Sequence, residues 1–158
     1  MRQELIDKYG NPSTPEGRLD QEWYKANIKL FVLPFTMIAS WPPYNPVRRV
    51  EAHRLAGDRI ISALSKVAAY KGLDYLKDNK LDRWGGCFNF RLIRGGTELS
   101  NHAWGTAVDI NPDIGRLGNH RDAAAYPRFI VDAFKSEGFV WGGEGWERPD
   151  AMHFELRD

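Results

Sequence analysis

Two short stretches carry the residue types that bind metals. One runs Ser100-Asn101-His102-Ala103-Trp104-Gly105-Thr106-Ala107-Val108-Asp109-Ile110-Asn111, and the other runs Asp150-Ala151-Met152-His153-Phe154-Glu155. A turn at Gly105 would fold His102 back over a strand beginning near Thr106. In that strand Ala107 and Asp109 face one way and Val108 and Ile110 the other. The second stretch repeats the logic: Met152, Phe154 and Leu156 form an apolar face, and His153 and Glu155 share the opposite one. If the two strands lie side by side, His102, Asp109 and His153 converge as an N, O, N set. That set suits one Zn²⁺ per chain, and three protein ligands leave a position open for water, as hydrolytic chemistry requires.

Three further residues near these ligands bear on chemistry. Asp150 precedes His153 by three residues, which is the wrong parity for the same face of a regular strand. Pro149 keeps it in a loop, from which it can reach a water at the metal and act as general base, or merely cap backbone amides. Glu155, on the ligand face, can accept from the free nitrogen of a ligating histidine. Ser100 can position substrate or cap the turn before His102. A tight loop at Gly142-Gly143 brings Glu144, Trp146 and Glu147 toward a groove, with Trp146 as a candidate substrate contact and core packing as its alternative.

The elements that must position these groups are legible in outline. Gly10, Pro12, Pro15 and Gly17 turn a short amphipathic opening helix into a loop. Ile28 to Ile38 is apolar enough for a strand, broken or placed at an edge by Pro34. Apolar residues from Val47 to about Tyr70 fall near helical period, which predicts one long helix packed on the sheet, with His53 in its first turns. Gly85 to Arg94 reads as a strand with Cys87, Asn89 and Arg91 on one face. Arg94 would then lie on the other face. A second helix covers 122–137, starting or kinking at Pro127 and ending at Gly138, and Phe139-Val140-Trp141 is a short strand. His53 and His120 fall outside the ligand set by any spacing rule and read as structural or surface residues. The sum is an α+β fold, helices packed on a small, mainly antiparallel sheet that carries the zinc site.

Composition limits the alternatives. The chain has 158 residues, a formal net charge of +1 and one cysteine. That length suits a single domain over residues 1–158 with a real core. No basic face is available to track phosphates, so nucleic acid is not an expected partner. Cys87 cannot form an internal disulfide. Neither a signal-peptide core nor an apolar run of membrane-spanning length is present, so synthesis in the cytoplasm, as a monomer without membrane insertion, is the expectation.

The pattern S-x-H-x-x-G-x-A-x-D, then G-F-x-W-G-G, then D-x-x-H-F-E resembles the zinc peptidase family of D-Ala-D-Ala carboxypeptidases and phage L-alanyl-D-glutamate endolysins. The matching positions are Ser100, His102, Gly105, Ala107 and Asp109, then Gly138 to Gly143, then Asp150, His153, Phe154 and Glu155. The resemblance covers about residues 85–156 and includes no separate wall-binding domain. It implies that Arg91 holds the substrate carbonyl. It also implies a substrate, the stem peptide of bacterial peptidoglycan, reached at the cell wall after release from the cytoplasm. The carboxypeptidases carry Glu where this chain has Asp150, which sides with the endolysin branch and the L-Ala-D-Glu bond; cleavage of the D-Ala-D-Ala bond is the alternative. Two readings from other classes compete: a non-catalytic zinc-fold assembly module of a phage particle, and a purely structural zinc closed by Cys87 as fourth ligand.

Overall fold

The computed structural model of the protein describes residues 2–157. Its centre is a sheet of β1 (Ile28–Ala39), β2 (Pro46–His53), β3 (Arg83–Gly86), β4 (Ala107–Ile110), β5 (Val140–Trp141) and β6 (His153–Glu155), in the order β2-β1-β3-β4-β6-β5. Neighbouring strands are antiparallel except β1 and β3, which meet in parallel at Ile38↔Arg83 and Ala39↔Trp84. The helices are α1 (Gln3–Tyr9), α2 (Gln21–Asn27), α3 (Gly57–Lys71), α4 (Leu73–Asp78), α5 (His120–Ala125) and α6 (Arg128–Ser136). This is the α+β architecture, with a mainly antiparallel sheet, that the sequence implied. No helix among the described residues is long and apolar enough to cross a membrane.

Two hydrophobic clusters pack around the sheet. Val108 and Ile110 of β4 and Phe154 of β6 join Ile60, Leu64 and Val67 of α3 and Ile130 and Phe134 of α6 in one core, where Phe134 stacks on Phe154 with ring centroids 4.4 Å apart. A smaller cluster forms from Leu5, Tyr9, Trp23, Ile28, Ala103 and Trp104. Trp104 donates its indole N–H to the Gly10 carbonyl at 2.8 Å, and Trp23 donates to that of Tyr9 at 2.8 Å. Both large rings are therefore buried with their one polar atom satisfied. The N-terminal segment thus supports the turn that carries His102.

Two sequence expectations give way here. The long helix over 47–70 is a strand followed by a helix: β2 pairs antiparallel with β1 through Val50↔Phe31 and His53↔Ile28, and α3 begins only at Gly57. Between Val50 and Ile60 the helical pattern had little beyond Ala52 and Leu55 to rest on, while Pro46-Val47 favours extended backbone and Val50 and Ala52 alternate as a half-buried strand does. Pro34, for its part, falls where the β1–β2 register shifts between Val32 and Met37, so the strand is bent at that point rather than ended. The strand expected over 85–94 ends at Gly86, and only an isolated bridge, Leu92↔Leu99, follows. Phe88 and Phe90 pack on the smaller cluster, and that demand overrides the alternation.

His53 ends β2 fully buried, its ring 5.0 Å from that of Tyr9 and 6.1 Å from that of Trp23. Burial pushes its imidazole down to about 4, against a backbone hydrogen bond at Tyr9, and the charge of Arg54 adds to the fall. Unfolded chains therefore take up this proton below about pH 6.5, whereas the folded protein resists until about pH 4. Stability should fall as pH drops through that window, by about 3 kcal/mol from this group at 1.36 kcal/mol per pH unit. Urea unfolding at pH 7.5 and pH 4.5 checks it: His53→Gln should lose markedly less stability over the interval than the parent.

Candidate metal centre

Strands β4 and β6 pair directly, with Asp109 opposite His153 and Ala107 opposite Glu155. Because side chains alternate across a strand, both carboxylates and His153 emerge from the face opposite Val108 and Phe154. His102 reaches the same point from one turn of 3₁₀ helix, Asn101–Trp104, whose first residue is preceded by Ser100; the Ser100 hydroxyl accepts from the His102 N–H at 3.4 Å. Gly105 then turns the chain into β4 with φ 69°, a conformation that L side chains rarely adopt, and a Cβ there would sit 2.7 Å from the His53 nitrogen. Gly85 of β3 lies against Asp109: a Cβ would be 2.8 Å from the Asp109 Cβ. The absent side chain is what lets Asp109 stand where it does.

The contacts orient each imidazole. His102 Nδ1 lies 2.7 Å from the Cys87 carbonyl oxygen, which can only accept, so that nitrogen carries the proton. Its buried Nε2 has no hydrogen-bond partner of good geometry and lies 3.3 Å from Asp109 Oδ2. His153 is clamped between carboxylates, Nδ1 3.0 Å from Asp109 Oδ1 and Nε2 2.9 Å from Glu155 Oε2. Burial alone would lower His153, but hydrogen bonds to Asp109 and Glu155 outweigh it and raise the ring to about 10. Burial would likewise raise Asp109, yet His102 and His153 hold its carboxyl far below the usual range. Two imidazole nitrogens facing one carboxylate can hold a metal ion: ligand atoms of His102, Asp109 and His153 all lie within 4.8 Å of one another. The orphaned His102 Nε2 and the mixed nitrogen and oxygen donors fit zinc. They leave Glu155 behind His153 as the outer acceptor.

Cys87 is not part of this group. Its buried thiol points to the Gly105 carbonyl at 3.6 Å, and burial, followed by the charges of Asp109 and Glu51, pushes its ionisation up. The closed structural site therefore lacks its fourth ligand among the described residues.

A cavity of about 570 Å³ opens over the cluster. Ser100, His102, Asp109, Trp146, Asp150, His153 and Glu155 all line it, as do both Arg91 and Arg94. With the strand ending at Gly86, the parity that favoured Arg91 no longer applies. Asp150 stands in a loop, as Pro149 implied, fixed by its N–H donating to the Gly142 carbonyl at 2.7 Å and its carbonyl accepting from the His153 N–H at 3.1 Å. Its Oδ1 is buried without a partner. Burial, reinforced by the charge of Asp109, pushes the Asp150 carboxyl up to about 6, although His153, His102 and Arg94 pull the other way. Trp146 places its ring 5.7 Å from that of His153. Met152, expected on the apolar face, lines the cavity instead, since β6 begins only at His153. Glu144 pairs with Lys135 away from the cavity, while Glu147 lines it. His120 is exposed at the start of α5.

Sequence reasoning missed Arg157. It donates to Glu155 Oε1 at 2.6 Å and sets its guanidinium 5.4 Å from the Trp146 ring centroid. Its spacing from Glu155, two residues, is the same-face signal that could have found it. Arg2 and Arg148 also line the cavity, and Arg2 donates to the Asn101 side chain. Nothing in local spacing pointed to Arg2.

Residues 94–156 match a family model described as D-alanyl-D-alanine carboxypeptidase, a zinc peptidase family. The match contains His102, Asp109, Asp150 and His153 and begins after Arg91. No curated protein and no solved structure matches the chain. The match supports a zinc peptidase acting on a peptide of the peptidoglycan type, without fixing the bond.

Two outcomes test the centre. Glu155→Gln should weaken zinc binding by roughly 10–100-fold, the usual effect of removing an outer acceptor, while Cys87→Ser should leave affinity unchanged. Competition with a chromophoric chelator measures both, and a Cys87→Ser protein that no longer holds zinc would restore the closed structural site.

Proposed function

We propose that the protein is a zinc-dependent peptidase that hydrolyses the stem peptide of bacterial peptidoglycan, with the L-Ala-D-Glu bond as its target. The observation that carries the reading is the juxtaposition of an N, O, N cluster that could hold a metal with the half-buried Asp150, whose Oδ1 has no hydrogen-bond partner, in one cavity. A structural metal needs no such carboxylate, and neither does an assembly module.

His102, Asp109 and His153 would hold the ion through His102 Nε2, the Asp109 carboxylate and His153 Nδ1, the atoms that face one another. Zinc bound there would supply a Lewis acid for the scissile carbonyl and lower the pKa of a water. Asp150 accepts the proton of the attacking water at its free carboxylate oxygen and returns it to the leaving amine, so the carboxyl ends the cycle as it began. Its raised pKa suits both halves of that task near neutrality. Arg91 donates to the oxygen on which negative charge develops; Arg94 lines the same cavity. Trp146 and Ser100 flank the peptide. Aspartate rather than glutamate at position 150 is the residue-level support for the L-Ala-D-Glu bond over D-Ala-D-Ala. Its place of action is the cell wall, reached after release from the cytoplasm.

Two measurements follow. Mass analysis of muropeptides after digestion of purified peptidoglycan should show new D-Glu amino termini; released D-Ala instead would assign the other bond. Asp150→Asn should keep zinc and fold while turnover falls roughly 10²–10⁴-fold, the range of general-base catalysis. Parent-like hydrolysis by that variant would remove Asp150 from the mechanism.

A further inference from the structure

His153, Glu155, Arg157 and Trp146 form a closed circuit of contacts at the cavity. His153 Nε2 lies 2.9 Å from Glu155 Oε2, and Arg157 donates through Nε to Glu155 Oε1 at 2.6 Å. The Arg157 guanidinium stands 5.4 Å from the Trp146 ring centroid, and the Trp146 ring lies 5.7 Å from that of His153. The backbone explains how Arg157 comes to be there. Strand β6 ends at Glu155, but the Leu156 N–H donates to the Thr106 carbonyl at 3.0 Å and Leu156 is buried in the main core. Alternation therefore continues past the end of the strand, with Phe154 and Leu156 in the core and His153, Glu155 and Arg157 on the cavity side. Trp146 arrives from the loop between β5 and β6, where Gly142 leaves room for it: a Cβ there would come 3.1 Å from the indole.

An exposed arginine beside a carboxylate usually contributes little, because two mobile side chains must be held in one geometry. Two features set this pair apart. The Glu155 side chain is 5% exposed, against 51% for Arg157, so the acceptor is already confined, and the indole gives the guanidinium a face to rest on. Each Glu155 oxygen then has its own partner. The terminal torsion of a glutamate is broad, so a carboxylate held by one oxygen can swing its plane, whereas one held by both presents Oε2 to His153 in a single direction. We propose that Arg157 is a positioning residue of the metal centre: it locks the Glu155 carboxylate, and thereby the His153 ring, in the orientation that aims Nδ1 at the ion. This rests on reading the cluster as the zinc site of the proposed peptidase. The sign of the effect separates positioning from charge. A guanidinium beside the centre repels a dication, so an arginine acting through charge alone would oppose zinc, and its removal would tighten binding. Removal of a positioning arginine does the reverse.

The test measures zinc affinity, by competition with a chromophoric chelator, for the parent, Arg157→Gln, Glu155→Ala and the double variant, with circular dichroism recorded on the same preparations. Arg148→Gln serves as the control, since it removes the same charge from the same cavity. Arg157→Gln should weaken zinc roughly 3–10-fold, less than the roughly 10–100-fold expected when an outer acceptor itself is lost. On the Glu155→Ala background the same substitution should change affinity by less than about twofold, because the group through which Arg157 acts is gone. Arg148→Gln should not weaken zinc. Unchanged or tighter binding in Arg157→Gln overturns the proposal, as does a loss that persists in full on the Glu155→Ala background or that Arg148→Gln reproduces. A parent that holds no zinc overturns the metal reading and the positioning role together. Zinc affinities that follow the expected pattern in a protein that hydrolyses no stem peptide uphold the role of Arg157 while the peptidase reading fails.

Discussion

Asp109 sits between two imidazoles, Oδ1 3.0 Å from His153 Nδ1 and Oδ2 3.3 Å from His102 Nε2. Nearly everything else in the structure serves that arrangement. Taking a carboxylate and two imidazoles out of water is costly unless each remaining polar atom is paired. The fold supplies those partners: the Cys87 carbonyl for His102 Nδ1, Glu155 for His153 Nε2, and Arg157 for Glu155 in turn. Only the atoms that face inward are left to a metal. Orientation is thus fixed before any ion binds, which is how outer contacts tune a metal site.

The two faces of the sheet divide the work. Behind the site, Val108, Ile110 and Phe154 lock β4 and β6 against α3 and α6, so the cross-strand pairing of Asp109 with His153 cannot slip by a residue without turning apolar side chains into the cavity. In front, Trp104 and the N-terminal helices hold the turn of His102. Loss of a buried Trp of this kind typically costs about 3–5 kcal/mol. The N-terminal segment, silent chemically, is therefore a structural condition of the centre.

What was legible in the sequence was local. Alternation placed Asp109, His153 and Glu155 on one face, Gly105 gave the turn, and Pro149 took Asp150 out of strand parity; each follows from backbone geometry over a few residues. The stretch from Val47 to His53 was misread because a helical period and a half-buried strand share their apolar positions over so short a run, and the partner that decides, β1, is distant in sequence. The strand expected after Gly86 failed because Phe88 and Phe90 answer to the small N-terminal cluster, a tertiary demand that alternation does not encode. Arg2 and Arg148 come to the cavity from opposite ends of the chain, and no spacing rule joins them.

The central claim is that His102, Asp109 and His153 form an open metal site without sulfur. Zinc-edge X-ray absorption on the zinc-loaded protein tests it most directly. The account predicts a first shell of nitrogen and oxygen at about 2.0–2.1 Å, with the outer-ring scattering of two imidazoles. A sulfur scatterer at about 2.3 Å, which would have to come from Cys87, the one cysteine of the chain, or a shell with fewer than two imidazoles, would contradict it.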